Sequence, residues 1–382
     1  MEFHESKKYI ENDYTFQKEI GRGSFGIVKS AICKKMGNEV AVKIIQKSKL
    51  FRSVKDAEEK LLREINIMKL CKHPHIIKYI DFYMDDTNYY IVMELIKHGE
   101  LFNLIESNGK LKISRAKKIF CQLLSGIEYC HGNLIAHRDI KLDNLLVVDD
   151  HLNIKITDFG LSNYIKTESL HTTFCGSLEY AAPEILGREP YNPMKIDIWS
   201  MGVILYSIIT GSFPWSGNHE LMMRNNIKAF NYNKKDLDSF ADKNLCDLFS
   251  KIFAPAKDRI TINELKNHPW LVDYVLPSYL PQREPIKNID TILVDKIVSL
   301  GFKSSDVLCS LYSNINNQET AIYHLLKEKF VNVDQKQLDN KISGKKFASN
   351  SESCLVVRFP RLAQITKRHY NSMEQLYEKN KE

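Results

Sequence analysis

A glycine cluster near the start of the chain, Gly21-Arg22-Gly23-Ser24-Phe25-Gly26, constrains the possible folds more than any other feature. In a dinucleotide-binding fold such a cluster follows a strand and opens a helix. Here the cluster is followed by Val28-Lys29-Ser30-Ala31-Ile32, a run typical of a strand, so the dinucleotide fold is rejected. Two alternatives remain for this strand-turn-strand: a plain hairpin turn, or a loop whose backbone N–H groups cover phosphates.

The hydrophobic pattern divides the chain into a strand-rich part and a helix-rich part. Residues 14–95 contain short strand-like runs and one helical pattern at 54–71, whereas residues 99–270 are mainly helical. The clearest helices are predicted at Ala116–His131 and Met194–Thr210. The sequence therefore predicts an α+β protein with a small strand-rich lobe followed by a larger helical lobe.

The charge distribution excludes a generic nucleic-acid binder. The net charge is +7, from 54 Lys and Arg against 47 Asp and Glu. Residues 341–382 hold nine of the basic residues and four of the acidic ones, so 9 − 4 = +5 lies in this tail. The first 340 residues are therefore close to neutral, and no nucleic-acid partner is expected.

Cysteine usage and the N-terminus indicate the compartment. None of the eight cysteines forms a CxxC pair or has zinc-ligand spacing with histidine, so we expect reduced, mostly buried cysteines. Residues 1–8 lack the apolar core of a signal peptide. The apolar stretch Ile196–Thr210 is too short and too polar to span a bilayer, and we interpret it as a buried core helix. The expected location is the cytoplasm, with the nucleus and the membrane periphery as alternatives.

Two motifs in the middle of the chain carry the strongest chemical signal. His137-Arg138-Asp139-Ile140-Lys141-Leu142-Asp143-Asn144 is followed, 19 positions after Asp139, by Asp158-Phe159-Gly160. Phosphoryl transfer needs a positioned hydroxyl, metal ions that neutralise phosphate charge, and a cation near the γ-phosphoryl group. Asp139 can accept the hydroxyl proton, Lys141 can supply the cation, and Asn144 and Asp158 can ligate Mg²⁺. Any one of these residues alone would be interpreted as an ordinary surface turn residue.

A lysine in the strand Val40–Ile45 fits the same chemistry. Lys43 follows Gly26 by 17 positions, and Glu64 lies on the next predicted helix. A lone lysine in an apolar strand usually extends its ammonium to the solvent at a sheet edge. The alternative is that Glu64 holds the Lys43 ammonium while Lys43 contacts the α- and β-phosphates.

With these motifs in this order, residues 14–270 resemble the eukaryotic protein kinases. Ala182-Pro183-Glu184, Asp197 and Arg259 extend the match. The resemblance implies a bilobal fold with lobes at 14–95 and 99–270, and ATP and Mg²⁺ as cofactors. It implies a Glu184–Arg259 ion pair and an Asp197 that holds the catalytic loop. The catalytic residues would be Asp139, Lys141, Lys43 and Glu64, with Asn144 and Asp158 as metal ligands.

The resemblance also implies a nucleotide site. Met93 would be the gatekeeper, and Glu94 and Ile96 would offer backbone groups to adenine. Glu100 would bind either the ribose or a substrate arginine. The full nucleotide-binding set would be Ile20, Gly21, Gly23, Ser24, Gly26, Val28, Lys43, Glu94 and Ile96.

Finer motifs are similar to the AMP-activated, MARK and fungal polarity branch of the calmodulin-kinase-like group. His171-Thr172-Thr173-Phe174-Cys175-Gly176-Ser177 before Tyr180 matches the activation segment of that branch. By this match Thr173 is a phosphosite for an upstream activating kinase, with Arg138 as the cationic partner of the phosphate. Leu178 and Leu142 depart from the usual residues of the branch and leave the exact subfamily open.

The chain beyond residue 270 is divided into three parts. Residues 271–288 contain three prolines and are predicted to be a linker. Residues 289–330, with helices at about 290–299, 304–313 and 317–329, resemble a ubiquitin-associated-like three-helix module. This module would bind ubiquitin or, by family analogy, dock on the kinase itself. Residues 331–382 form a polar and then basic tail, interpreted as a solvated helix or as a contact with anionic membranes.

The resemblance thus implies a serine/threonine protein kinase that transfers the ATP γ-phosphoryl group to hydroxyls of protein substrates. Activation by phosphorylation of Thr173 is expected. The alternative is a pseudokinase or scaffold that signals through its C-terminal module. A pseudokinase would lack metal ligands, and none is missing from this sequence.

Overall fold

The structure is a computed structural model. It describes residues 9–23, 26–50, 65, 69, 71–158, 178–187, 191–215, 219–238, 240–274, 286, 289–313 and 319–327. Three of the predicted site residues, Ser24, Glu64 and Thr173, lie outside the described residues, as does the tail 331–382.

A five-stranded antiparallel sheet forms the first part of the chain, in the order β1-β2-β3-β5-β4. Its strands are β1 (Tyr14–Gly23), β2 (Gly26–Cys33), β3 (Glu39–Gln46), β4 (Tyr79–Met84) and β5 (Asn88–Glu94). Two short helices, α1 (Ile10–Asp13) and α2 (Lys47–Leu50), flank β1 and β3. The turn between β2 and β3 contains Gly37 at φ +69°, a conformation that favours glycine. The strand-rich lobe is therefore confirmed.

Both faces of this sheet are buried, so its strands alternate between two cores. On β5, Tyr90 and Val92 belong to one apolar cluster, whereas Ile91 and Met93 belong to the main core. The first cluster is completed by Ile10 of α1, which is 2% exposed and was not predicted to be helical. Pairing places Lys43 opposite Ile91, so Lys43 shares the face that looks toward the main core.

Helices dominate the second part of the chain. They are α3 (Leu101–Asn108), α4 (Ile113–Gly132), α5 (Pro183–Gly187), α6 (Pro193–Thr210), α7 (Glu220–Lys228), α8 (Lys235–Asp238), α9 (Lys243–Ile252) and α10 (Ile262–Lys266). The predicted helices at 116–131 and 194–210 are confirmed as α4 and α6. Helix α6 begins after Asn192, whose side chain accepts from Met194 N, and ends at Gly211 with φ +80°.

Helix α6 is buried along nearly all of its length, as expected for Ile196–Thr210. No helix within the described ranges is both long and apolar enough to cross a membrane. A two-stranded antiparallel sheet is formed by β6 (Leu145–Val147) and β7 (Ile154–Ile156), which follow α4 and precede α5 in the chain. Its position matters for function because β6 follows Asn144 and β7 leads to Asp158.

Beyond residue 289 the described chain forms α11 (Thr291–Ser299), α12 (Ser304–Tyr312) and a helix at 319–327. Their apolar sides are buried, including Ile297, Leu311 and Tyr323. The Asp290 N–H donates to the Tyr323 hydroxyl at 2.8 Å, which ties the first helix to the last. The three helical segments agree with the predicted positions.

Three expectations need correction. Strand β4 was not predicted. The helical pattern at 54–71 does not reach Cys71, which lies in irregular chain, and most of that segment is outside the described residues. Of the six cysteines with described surroundings, three are buried, but Cys246 and Cys309 are exposed, so the expectation of mostly buried cysteines was too strong.

Candidate active site

The loop before β6 is held in place by one buried carboxylate. Asp197 of α6 is fully buried, and its two oxygens accept hydrogen bonds from the backbone N–H groups of His137 and Arg138 at 2.8 and 2.7 Å. The His131 ring donates to the same carboxylate at 2.8 Å. Arg138 has φ +66°, an uncommon conformation for a non-glycine residue. Asp197 therefore holds a strained turn next to Asp139.

The His137 ring joins this loop to the strand that precedes Asp158. Its Nε2 lies 2.9 Å from the Thr157 carbonyl oxygen, and its Nδ1 accepts from Asp139 N at 3.2 Å. A carbonyl only accepts, so Nε2 carries the proton and Nδ1 does not. The buried His137 ring thus holds the backbone at Asp139 and the backbone just before Asp158.

Asp139, Lys141 and Asn144 form one polar cluster. The Asn144 side-chain NH₂ donates to the Asp139 carbonyl at 2.6 Å and to the Asp139 carboxylate at 3.2 Å. The Lys141 ammonium lies 3.8 Å from the same carboxylate. With its nitrogen used on Asp139, Asn144 has its side-chain oxygen left as a ligand atom.

Lys43 and Asp158 meet across the two parts of the chain. The Lys43 ammonium lies 2.7 Å from Asp158 Oδ2, and both side chains are largely buried. Asp158 has φ +60°, the second strained residue of the site. The Thr157 N–H donates to the Asn144 carbonyl at 2.9 Å, so the Lys43–Asp158 pair is one residue away from the Asn144 cluster. The predicted partner of Lys43, Glu64, lies outside the described residues.

The glycine-rich strands carry the predicted nucleotide-binding residues. Gly21 pairs with Val28, Gly23 pairs with Gly26, and Val28 is opposite Lys43. A Cβ on Gly26 would lie 1.7 Å from the Ile44 carbonyl oxygen, so glycine is required there by the sheet itself. A Cβ on Gly21 would make only an ordinary contact with Val28, so the fold does not demand that glycine.

The segment after β5 carries the other predicted nucleotide contacts, Glu94 and Ile96. The Glu94 N–H donates to the Lys78 carbonyl at 3.0 Å. In return, the Lys78 N–H donates to the Glu94 side chain at 2.7 Å and not to the Glu94 carbonyl. Ile96 is partly buried beside the main core. Ile20, at the start of the glycine-rich strands, is 42% exposed.

The expected Glu184–Arg259 ion pair is present. Two guanidinium nitrogens of Arg259 lie 2.7 and 3.0 Å from the Glu184 carboxylate, and the Arg259 side chain is fully buried. The guanidinium also lies 4.8 Å from the centre of the Trp199 ring on α6. This pair fixes α5, the helix that follows Tyr180, against the helical core.

An acidic surface lies beside the catalytic cluster. The pKa of Glu100 is raised, first by burial and then by the negative charges of Asp143 and Asp158. The positive charge of Lys141 lowers this pKa and so opposes part of the effect. These influences place Glu100 close to both halves of the site. Asp143 was not singled out from the sequence, although its position inside the catalytic motif was a usable signal.

The structure thus brings together Lys43, Asp139, Lys141, Asn144 and Asp158. The other predicted site residues Ser24, Glu64 and Thr173 lie outside the described residues. Lys155 of β7, whose ammonium lies 2.7 Å from Glu94 Oε1, is not found by the sequence analysis, since a lysine in a short strand carries no distinctive signal. Across the described ranges, no three His, Cys, Asp or Glu side chains cluster closely enough to hold a metal by themselves. Mg²⁺ does not need such a cage, because it takes one or two protein ligands together with phosphate oxygens.

Comparison with known families decides the identity of this arrangement. The model of the protein kinase domain matches residues 14–271, more than half of the chain. The chain belongs to the protein kinase family. ATP and Mg²⁺ are therefore its cofactors. The Asn144 amide and the Asp158 carboxylate offer the kind of oxygen atom that Mg²⁺ prefers.

The relatives narrow the assignment to serine/threonine kinases. The chain is 37% identical over 372 residues to an SNF1-related protein kinase catalytic subunit, KIN12, of Arabidopsis thaliana, covering 96% of this chain and 73% of that one. It is 39% identical to a probable serine/threonine-protein kinase MARK-C of Dictyostelium discoideum and 36% identical to the serine/threonine-protein kinase SIK2 of Gallus gallus. Each of these two alignments covers 86% of this chain, but only 43% and 41% of the relatives. These names support the AMP-activated/MARK branch, and the chain is a serine/threonine protein kinase.

A solved structure is similar as well. Rad53 residues 1–466 in complex with AMP-PNP matches with a TM-score of 0.60 and 33% identity. The match covers 69% of this chain and 66% of that one. The bilobal kinase fold is therefore confirmed, and the pseudokinase alternative is not favoured.

Proposed function

We propose that the cleft around Asp139 and Asp158 transfers the γ-phosphoryl group of ATP to serine and threonine hydroxyls of proteins. One observation supports this proposal above all others. The Asp139–Lys141–Asn144 cluster and the Lys43–Asp158 pair are joined by the Thr157–Asn144 hydrogen bond of 2.9 Å. Groups for the hydroxyl, the phosphates and the metal therefore lie within one hydrogen-bonded unit.

Each residue has a role that its position allows. Asp139 orients the substrate hydroxyl and accepts its proton, while Lys141, 3.8 Å away, stabilises charge on the transferred group. Asn144 and Asp158 would hold Mg²⁺ through their side-chain oxygen atoms, and Lys43 would bind the α- and β-phosphates. When bound, Mg²⁺ neutralises phosphate charge. The Lys43 ammonium lies 2.7 Å from Asp158 Oδ2, so the phosphate-binding cation and the proposed metal ligand are adjacent.

The acidic surface suggests the class of substrate. Burial first, and then repulsion from the charge of Asp143, raises the pKa of Glu100. A basic side chain upstream of the accepting hydroxyl would relieve that repulsion. We therefore prefer the substrate-arginine role over the ribose role for Glu100, and propose that basic serine or threonine peptides are the best substrates.

Phosphorylation of Thr173 is proposed as the activating event. Arg138 Nε is buried and has no hydrogen-bond partner among the described residues. A phosphate accepts strong charge-assisted hydrogen bonds from a guanidinium, so a phosphothreonine would satisfy this group. Because Arg138 is adjacent to Asp139, the same contact would stabilise the strained catalytic turn.

The remaining parts of the chain have proposed roles that rest on the sequence. We propose a catalytic domain at 14–270, a linker at 271–288, a ubiquitin-associated-like module at 289–330 and a tail at 331–382. Docking of the module on the kinase is the favoured role. Contact of the basic tail with anionic membranes would be tested by liposome sedimentation with and without residues 341–382. Cytoplasmic location stays a prediction.

The transfer assay tests the main proposal. The chain phosphorylated at Thr173 is incubated with Mg·ATP and a basic serine peptide, in parallel with Asp139→Asn. A matched control is Asp149→Asn, because Asp149 is also bonded to an asparagine side chain but lies in the turn after β6. Transfer should fall by at least about 100-fold in Asp139→Asn and stay unchanged in Asp149→Asn. Equal transfer by wild type and Asp139→Asn would show that the proposal is wrong.

A further inference from the structure

An ion pair behind the cleft connects the segment that would bind adenine with the strand that carries Asp158. The Lys155 ammonium of β7 lies 2.7 Å from Glu94 Oε1 at the end of β5. It also lies 3.5 Å from the Ile76 carbonyl oxygen. The two side chains are only 18% and 27% exposed, so solvent and salt screen their attraction much less than that of a surface pair.

The Glu94 side chain has a second task in the same place. Its Oε1 also accepts from the Lys78 N–H at 2.7 Å. In a regular antiparallel pair two opposite residues exchange both backbone hydrogen bonds. The Glu94 N–H donates to the Lys78 carbonyl, so the regular partner of the Lys78 N–H would be the Glu94 carbonyl. The side chain therefore substitutes for the carbonyl in the ladder, and the Glu94 carbonyl is left to accept from a ligand.

Strand β7 transmits this contact toward the phosphate end of the cleft. The Ile156 N–H donates to the His75 carbonyl and the Ile77 N–H donates to the Ile156 carbonyl, both at 2.9 Å. Lys155 lies between Ile154 and Ile156 on this tied strand, and Asp158 follows three residues after Lys155. The segment 75–78 is thus attached to β7 through both backbone and side chain.

We propose that the Glu94–Lys155 ion pair positions the adenine-binding segment relative to Asp158 and thereby increases the affinity for nucleotide. The proposal rests on the nucleotide site proposed above. A nucleotide spans both ends of the cleft, so freedom of one end relative to the other lowers the fraction of molecules that can bind it. The apparent dissociation constant rises as that fraction falls. Glu94 and Lys155 act here as positioning residues, and neither side chain needs to touch the nucleotide.

The test measures Mg·ADP binding by calorimetry on the full chain, together with KM for ATP, kcat and Tm. Lys155→Met should weaken Mg·ADP binding and raise KM for ATP about tenfold, which corresponds to about 1.4 kcal/mol. The kcat at saturating ATP should stay within about twofold, because the chemical groups are intact. Lys155→Arg keeps the charge and should bind Mg·ADP as wild type does.

Two further variants make the test specific. Glu94→Gln retains an oxygen for Lys78 but removes the charge, so it should show a smaller loss, and the double variant should be no weaker than Lys155→Met. If Lys155→Met does not fold, Glu94→Gln alone is the variant that tests the inference. Lys97→Met removes an ion pair with Glu39 just after the same segment, but that pair is 67% and 43% exposed, so binding should not change.

The outcomes separate the possibilities. A lower Tm with unchanged Mg·ADP affinity would reduce the pair to a structural role and overturn the inference. Tighter binding in Lys155→Met, or additive losses in the double variant, would also overturn it. If wild type binds no Mg·ADP, both this inference and the proposed function are wrong, whereas normal wild-type binding with unaffected variants refutes this inference alone.

Discussion

Replacing Asp197 by asparagine is a sharp test of how the catalytic turn is held. The carboxylate accepts three hydrogen bonds, from His137 N, Arg138 N and the His131 ring, all at 2.7–2.8 Å. Asparagine has one oxygen and one NH₂ group. If the asparagine oxygen accepts from His137 N and the His131 ring, its NH₂ group points at the Arg138 N–H. Both of these groups are donors, so the hydrogen bond to Arg138 N is lost.

The cost follows from these contacts. A hydrogen bond to a charged group contributes about 1.5–3 kcal/mol, and an unsatisfied buried N–H costs about 1–3 kcal/mol. Asp197 is fully buried, so no solvent screening reduces these values. The free energy of unfolding should therefore fall by about 3–5 kcal/mol. Arg138 would also lose the bond that holds its positive φ, and a 1 Å shift of the adjacent Asp139 would lower kcat by about 100-fold.

Denaturant unfolding and peptide phosphorylation measure the two effects separately. Asp242→Asn is the matched control, because Asp242 also accepts three hydrogen bonds, from Asn244 N, Leu245 N and the Trp270 ring. It caps α9, far along the chain from the catalytic loop. We expect it to reduce stability while the folded protein keeps its kcat. If Asp197→Asn keeps kcat within about twofold of wild type, the idea that this carboxylate holds the catalytic turn is refuted.

Two further predictions concern the sheet and a buried histidine. Gly26→Ala should lower Tm strongly, because its Cβ would lie 1.7 Å from the Ile44 carbonyl oxygen. Gly21→Ala, which creates no such clash, should keep the wild-type Tm and raise KM for ATP. Equal Tm values for the two variants would contradict this prediction. Burial lowers the pKa of His73 to about 3, from an ordinary value of 6.5. Between about pH 3 and pH 6.5 the unfolded chain therefore binds a proton on His73 that the folded chain does not bind. The free energy of unfolding should fall by about 2 kcal/mol as the pH drops from 7 to 5. His73→Gln should remove that part of the pH dependence in denaturant titrations, and an unchanged slope would show that His73 is not the cause.

The parts of the site that are local in sequence could be predicted, and the parts made by distant pairing could not. Asp139, Lys141 and Asn144 lie within one short motif, so their proximity follows from the chain itself. Lys43 was assigned a phosphate role, but its contact with Asp158 depends on how the sheet faces β7. Lys155 was overlooked because only the packing of β7 reveals Glu94 as its partner.

The same distinction applies to the fold. Helices α4 and α6 have strong periodic or continuous apolar patterns, and both were predicted within a few residues. Strand β4 was missed because it lies at the sheet edge and a register shift between Tyr79 and Asp81 breaks its alternation. Helix α1 has only four residues and no side-chain cap, so its presence depends on burial of Ile10 against the sheet.

The Mg²⁺ dependence of ATP binding tests the central claim most directly. Lys43 and Asp158 meet at 2.7 Å, and we place the metal on Asp158 and Asn144. ATP affinity is measured by calorimetry with and without Mg²⁺, for wild type and for Asp158→Asn. The account predicts that Mg²⁺ strengthens ATP binding to wild type by at least about tenfold and has little effect on Asp158→Asn. An equal Mg²⁺ effect in both proteins would contradict it.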